Sequence, residues 1–389
     1  MANVRRIGIL TGGGDVPGLN VAIKAVVGRA AEHGIEVVGL RRGWASVMGI
    51  DPDDPATAPA FTVKLDREAV RKIDRSGGTV LHSSRTNPVA VKASDVPGYV
   101  RAADQTVRDD GKVDCTGHAI RVLNHLGLDA LVPIGGEDTL SFAERLSREG
   151  FPTVAIPKTM DNDVMGTDYC IGFSTTITRS VEMITNFRTS LGSHERIGII
   201  ELFGRHSGGT SLYAAFLAAV DRALIPEVPF DMERVAGFLA ADREANPSHY
   251  SMVTVSEGAM PVGAGMTETG EADAFGHRKL GGIGQAVSAE VKRLTGTNVM
   301  FQQLGYVIRS GAPDTLDRMV STSYGILAAD EVARGNSGRL VALQGGSYTV
   351  IDLTTVAGGQ RKIDVAEYYD AEQYRPKMRD IQGKPMFLS

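Results

Sequence analysis

The chain has 389 residues, 42% of them hydrophobic and 22% charged, enough to bury a large core and too many for a single small module. Its formal net charge of −5 offers no basic field for nucleic acid, so an anionic ligand must be held by a local cluster of positive groups. Two cysteines, Cys115 and Cys170, make neither a disulfide framework nor a thiolate metal site, and no long apolar run is present, so a cytoplasmic protein without membrane span or export signal is expected.

The first apolar run, VRRIGIL, reads as a buried strand and is followed at once by TGGGDVPGLN, Thr11 to Asn20. Three glycines let a backbone lie close against another object, and the helix that follows, LNVAIKAVVGRAAEHG, presents free N–H groups at its start; together they suit a phosphate. IEVVGL predicts a second strand. Residues from about Asn87 to Thr116 are polar and broken by Pro and Gly, which predicts a surface excursion or a lid. GHAIRVLNHLGL, ALVPIGG, DTLSFAERLSREG and TVAIPKT then alternate helix and strand. TTITRSVEMITNFRTSL, RIGIIEL, GTSLYAAFLAAVDRAL and YSMVTVSEG continue the alternation. This order predicts an α/β, doubly wound architecture with ligands beyond the carboxyl ends of the strands. TGGGD, PIGGED, PKTMDND and ELFGRHSGG all fall there, so four polar loops should line one crevice. No internal repeat is visible.

PKTMDNDV sets Lys158, Thr159, Asp161 and Asp163 directly after a strand. A cation, a hydroxyl and two carboxylates are the groups that phosphoryl transfer needs: a base for the attacking hydroxyl, a charge for the leaving oxygens and a ligand for Mg²⁺. PIGGEDTL adds Glu137 and Asp138 at the same end of another strand, and so many carboxylates would repel without a hard cation. An Asp-rich turn or helix cap is the plainer alternative for each loop taken alone. Spacing excludes two others, because the chain has neither G-x-G-x-x-G after its first strand nor any G-x-x-x-x-G-K-[ST].

Along nearly its whole length the sequence resembles the phosphofructokinase family. TGGGDVPGLN is similar to its first phosphate loop, PIGGEDTL to its donor loop and PKTMDNDVMGTDYCIGF to its catalytic loop; SHERIGIIELFGRHSGG, LIPEVPF and LGYVIRSG follow in the family's order. The resemblance implies two similar three-layer domains with mainly parallel sheets and the active site in the cleft between them. Residues 1–172 with about 309–350 would take the phosphate donor, and 173–308 with about 351–389 the sugar phosphate. It implies reversible, Mg²⁺-dependent phosphoryl transfer to the 1-hydroxyl of fructose 6-phosphate, in glycolysis or gluconeogenesis. Asp161 would be the base, Thr159 would bind beside it, and Glu137 and Asp163 would hold the metal. Gly14 and Arg85 would face the donor phosphates.

Two positions bear on the donor. Members that use ATP generally have glycine where this chain has Asp138, and many have it where this chain has Lys158; Asp138 crowds a nucleotide, and Lys158 offers an ammonium to diphosphate. The pair resembles the diphosphate-dependent branch, with ATP as the alternative donor. For the sugar phosphate the resemblance implies Phe203, Gly204, Arg205 and Glu227, with Arg196, Tyr306 and Arg309 at the 6-phosphate. Arg196 reaches a neighbouring subunit's site in the family, which implies a homodimer or homotetramer. No arginine stands near Met300, where many members have one, so longer sugar phosphates are expected to fit as well. A non-catalytic sugar-phosphate sensor would be expected to lack Asp161 or a metal carboxylate. Trp44 and His194 are read as packing and loop polarity.

Overall fold

The computed structural model describes residues 4–266 and 282–377, the short strands Glu268–Thr269 and Lys279–Leu280, and residue 382. The chain opens with β1 (Arg6–Thr11), β2 (Glu36–Leu40), β3 (Thr62–Leu65), β4 (Ala130–Gly135) and β5 (Val154–Pro157). It then leaves this sheet to build β6 (Ile197–Leu202), β7 (Arg222–Leu224), β8 (Ser251–Ser256) and β9 (Val299–Gln303), and returns with β10 (Arg339–Gln344) and β11 (Ser347–Asp352). The larger sheet has the order β11-β10-β5-β4-β1-β2-β3, parallel except for its two edge strands. The smaller, all parallel, has the order β9-β6-β8-β7. β4 and β6 are buried along their whole length, as strands covered on both faces must be, which is why they read as unbroken apolar runs.

Helices cover both sheets: α1 (Leu19–Glu32), α2 (Thr116–His125), α3 (Glu137–Arg148), α4 (Phe173–His194), α5 (Gly209–Leu217), α6 (Met232–Ala245), α7 (Ile283–Thr295) and α8 (Thr315–Ala333). α8 lies against α1 at Gly325, where a Cβ would stand 2.7 Å from the carbonyl of Ala22. All six expected strands form. One helix is shorter than its sequence pattern: α5 stops at Leu217, Ala219 takes φ 50°, and the DRAL of the expected helix lies in or beside β7. The 87–116 excursion folds into turns and the two-residue strands Thr106–Val107 and Val113–Asp114. It packs through Val100, Val113 and Cys115 on Met48, and none of it lines the cavity described below, as a surface excursion would not. Trp44 is buried edge-on against Phe142, as a packing residue. No described helix is long and apolar enough to cross a membrane.

Candidate active site

The carboxyl ends of β1, β4, β5, β6 and β8 converge on one cavity of about 200 Å³, lined from both sheets. The glycine run after β1 shapes its floor. A Cβ on Gly12 would stand 2.4 Å from Thr139 Oγ1, Gly13 has φ 75°, and a Cβ on Gly14 would stand 2.7 Å from an Arg309 guanidinium nitrogen. The turn is therefore pressed against α3 on one side and a cation on the other; Gly12 has no room for a Cβ and Gly13 needs its positive φ, while at Gly14 the Arg309 guanidinium would have to move. Gly13 N donates to Ser84 O at 3.1 Å, which brings the Arg85 loop alongside.

Lys158 sits where β5 ends. Its N donates to Gly135 O at 2.8 Å and its Nζ to Gly14 O at 2.6 Å, so a buried ammonium joins the three loops of the larger sheet. Burial, and then the neighbouring Arg309, lower its pKa to about 8. Asn162 fixes the loop beyond it, at φ 54°, through bonds to Asp168 O and Cys170 N. Asp161 is thereby aimed into the cavity. Its Oδ1 is cut off from solvent with no hydrogen-bond partner among the described residues, and burial, reinforced by Asp163 and Glu257, raises its carboxyl well above the ordinary range. Burial pushes Asp163 up to about 6, and the Glu137 carboxylate adds to the shift. Glu137 and Asp138 open α3, where the helix dipole favours their charge.

The smaller sheet supplies Phe203, Arg205, His206 and Glu257. Gly204 takes φ 132° with Ser207 O 2.7 Å from where a Cβ would stand, so it turns the chain and sends Arg205 into the cavity. Gly258 has no Cβ because Arg205 O occupies that place, 2.0 Å away; the two loops are in contact. Arg309 spans both sides, 3.5 Å from Asp15 and stacked over Tyr306 (4.5 Å) and Phe203 (5.3 Å).

Gly14, Arg85, Glu137, Asp138, Lys158, Thr159, Asp161, Asp163, Phe203, Arg205 and Arg309 thus share one cavity wall. Tyr306 does not line it; its ring is 62% exposed and packs on Phe203 and Arg309. Arg196 stands at the amino end of β6, away from the cavity. Met300 lies mid-strand in β9, paired with Gly198. Glu227 accepts from Gly208 N and Ile363 N and is not among the residues that line the cavity. The smaller sheet also brings Glu257 to the wall, pushed up to about 7 by burial against the pull of Arg205. YSMVTVSEG held the signal, since Glu257 is the first carboxylate past the carboxyl end of a strand, the rule that found Asp161. Gln360, far along the chain, had no such signal.

The carboxylates suit a hard cation with oxygen ligands. Asp161 has an unpartnered buried oxygen, and Asp163 and Glu137 share an unfavourable charge that a cation relieves. Among the described residues no three His, Cys, Asp or Glu side chains come close enough to hold a metal alone, so an ion here needs phosphate oxygens to complete its shell, as Mg²⁺ commonly does.

A cleft with several carboxylates, three arginines, a buried lysine and a glycine turn at its floor is that of a phosphoryl-transferring enzyme. The phosphofructokinase family matches residues 6–332, and the chain belongs to it. It is 38% identical over 372 residues to a pyrophosphate--fructose 6-phosphate 1-phosphotransferase of Amycolatopsis methanolica, covering 95% of this chain and 99% of that one. It is 36% identical over 369 residues to ATP-dependent 6-phosphofructokinase 3 of Streptomyces coelicolor, covering 94% and 99%. The solved pyrophosphate-dependent phosphofructokinase of Marinobacter aquaeolei has the same fold: TM-score 0.76 at 17% identity, over 96% of this chain and 89% of that one.

Proposed function

We propose that the chain transfers a phosphoryl group reversibly from diphosphate to the 1-hydroxyl of D-fructose 6-phosphate, giving fructose 1,6-bisphosphate and phosphate. The observation that carries the choice of donor is the Lys158 ammonium, buried beneath the Gly14 turn with Asp138 at the next loop. Lys158 meets an anion at close range, and Asp138 meets the nucleotide portion of ATP with a like charge. Asp161 takes the proton of the attacking hydroxyl; a buried carboxyl with a raised pKa is a stronger base than an exposed one. Arg85 and Lys158 hold the donor's oxygens, and Arg85 carries charge that develops in transfer; Arg205 lies on the sugar side and Arg309, stacked on Tyr306, takes the 6-phosphate. Thr159, Phe203 and the Gly204 turn shape the sugar side, with Glu227 as the carboxylate for sugar hydroxyls and Glu257 in the cavity wall. Glu137 and Asp163 would hold Mg²⁺ together with diphosphate oxygens. Bound there, the ion supplies positive charge to the transferring group.

The same reading makes residues 1–172 with about 309–350 the donor unit and 173–308 with about 351–389 the acceptor unit; residues 378–381 and 383–389 lie outside those described. It makes Arg196, remote from its own cavity, a contact to the 6-phosphate in a second copy. Two free, buried cysteines fit a reducing cytoplasm.

The test is fructose 1,6-bisphosphate formation with Mg²⁺, diphosphate and ATP being supplied in separate reactions. Turnover with diphosphate alone is expected, lost by about 10²-fold or more in Asp161→Asn. Turnover with ATP alone would overturn the donor assignment and keep the reaction.

A further inference from the structure

The chain beyond β11 returns to the cavity. After the turn Leu353–Gly358, Gly359 takes φ 98° and Gln360 bridges antiparallel to Val164. Arg361 N donates to Asp163 O at 2.9 Å and its guanidinium to Thr167 O at 2.6 Å; Ile363 N donates to Glu227 at 3.2 Å. This segment straps the loop that carries Lys158, Asp161 and Asp163, and it puts one side chain, Gln360, into the cavity wall. Gln360 Nε2 donates to Glu137 Oε2 at 2.7 Å, and the amide must be turned this way because its oxygen would repel the carboxylate.

We infer that Gln360 is a positioning residue for the cation site of the donor, resting on the reading of Glu137 as a ligand for Mg²⁺ held with diphosphate. A glutamate on the first turn of a helix is free to swing on several bonds. A bond to Oε2 stops that swing and leaves Oε1, which has no hydrogen bond among the described residues, to face the ion. A neutral amide does so without offering a rival charge, which a lysine or arginine would. The neighbouring backbone amide of Arg361 meanwhile holds the carbonyl of Asp163, so one short segment keeps Glu137 and Asp163, from loops of two different strands, in fixed relation.

The test is Mn²⁺ binding, followed by the loss of the free-ion electron paramagnetic resonance signal, with imidodiphosphate present and no sugar. Gln360→Ala and Gln360→Met, the second keeping the length of the side chain, are expected to weaken Mn²⁺ binding by about 10-fold or more. The KM for fructose 6-phosphate should not move. Mn²⁺ affinity equal to the parent's in Gln360→Met overturns the inference, whatever the stability of Gln360→Ala. Glu137→Gln separates the two readings: if it too binds Mn²⁺ as the parent does, Glu137 is no ligand, and the cation reading fails before the role of Gln360 is in question.

Discussion

On the proposed reading, Lys158 concentrates the chemistry of the donor side in one atom. Burial and Arg309 bring its pKa down to about 8, so in the empty cavity the ammonium is lost as pH rises through that value. Bound diphosphate brings negative charge and favours the ammonium again, so binding above pH 8 must take up a proton. The Kd of imidodiphosphate, measured calorimetrically from pH 7 to 9.5, is therefore expected to rise above pH 8 by up to about tenfold per pH unit, beyond the slope that the ligand's own ionisation gives in Lys158→Met. That variant should bind weakly throughout. Lys158 and Asp161 were legible in the sequence because both follow a strand directly and the polar types there are few. The two backbone amides that bond Glu227 were not legible, because a carboxylate in a loop says nothing of its partners.

At the scale of elements, one buried carboxylate ties α8 to the start of α4. Asp317, 0% exposed, accepts from Tyr169 Oη, Gly172 N, Thr175 N and Thr175 Oγ1. It thereby satisfies donors at a helix start that would otherwise have none. Asp317→Ala strands these donors out of reach of water, and a loss of about 3 kcal/mol or more in stability is expected by urea unfolding. The residue does not line the candidate active-site cavity, so kcat should change far less than stability. The strands and helices were mostly legible, since parallel strands buried on both faces leave unbroken apolar runs. β3, β7, β9, β10 and β11 were not read: β3 and β7 have only four and three residues, β9 and β11 are mostly polar or half-exposed, and β10 is isolated from the earlier alternation. The strap at 359–363 was illegible for a different reason, as its conformation comes from bonds to a loop about 200 residues away in the chain.

At the scale of the whole molecule, each cavity draws on both sheets, and the proposed place of Arg196 extends the site to a second copy. Arg196→Ala and Asp161→Asn should each be poorly active alone. Mixed after reversible dissociation, they should form hybrids with one intact site, Asp161 coming from one subunit and Arg196 from the other, and recover up to about half of the parent's activity per hybrid dimer. No recovery in hybrids whose formation is verified would remove Arg196 from the site. The path of the chain also has a consequence during synthesis. β5 leaves the ribosome long before β10, its partner in the sheet, because the whole smaller sheet is translated in between. At about 5 to 20 residues per second, its open edge waits roughly ten to forty seconds for that partner. For that time the nascent chain carries an apolar strand with one edge unpaired, a site for mispairing with other chains that is gone once β10 docks.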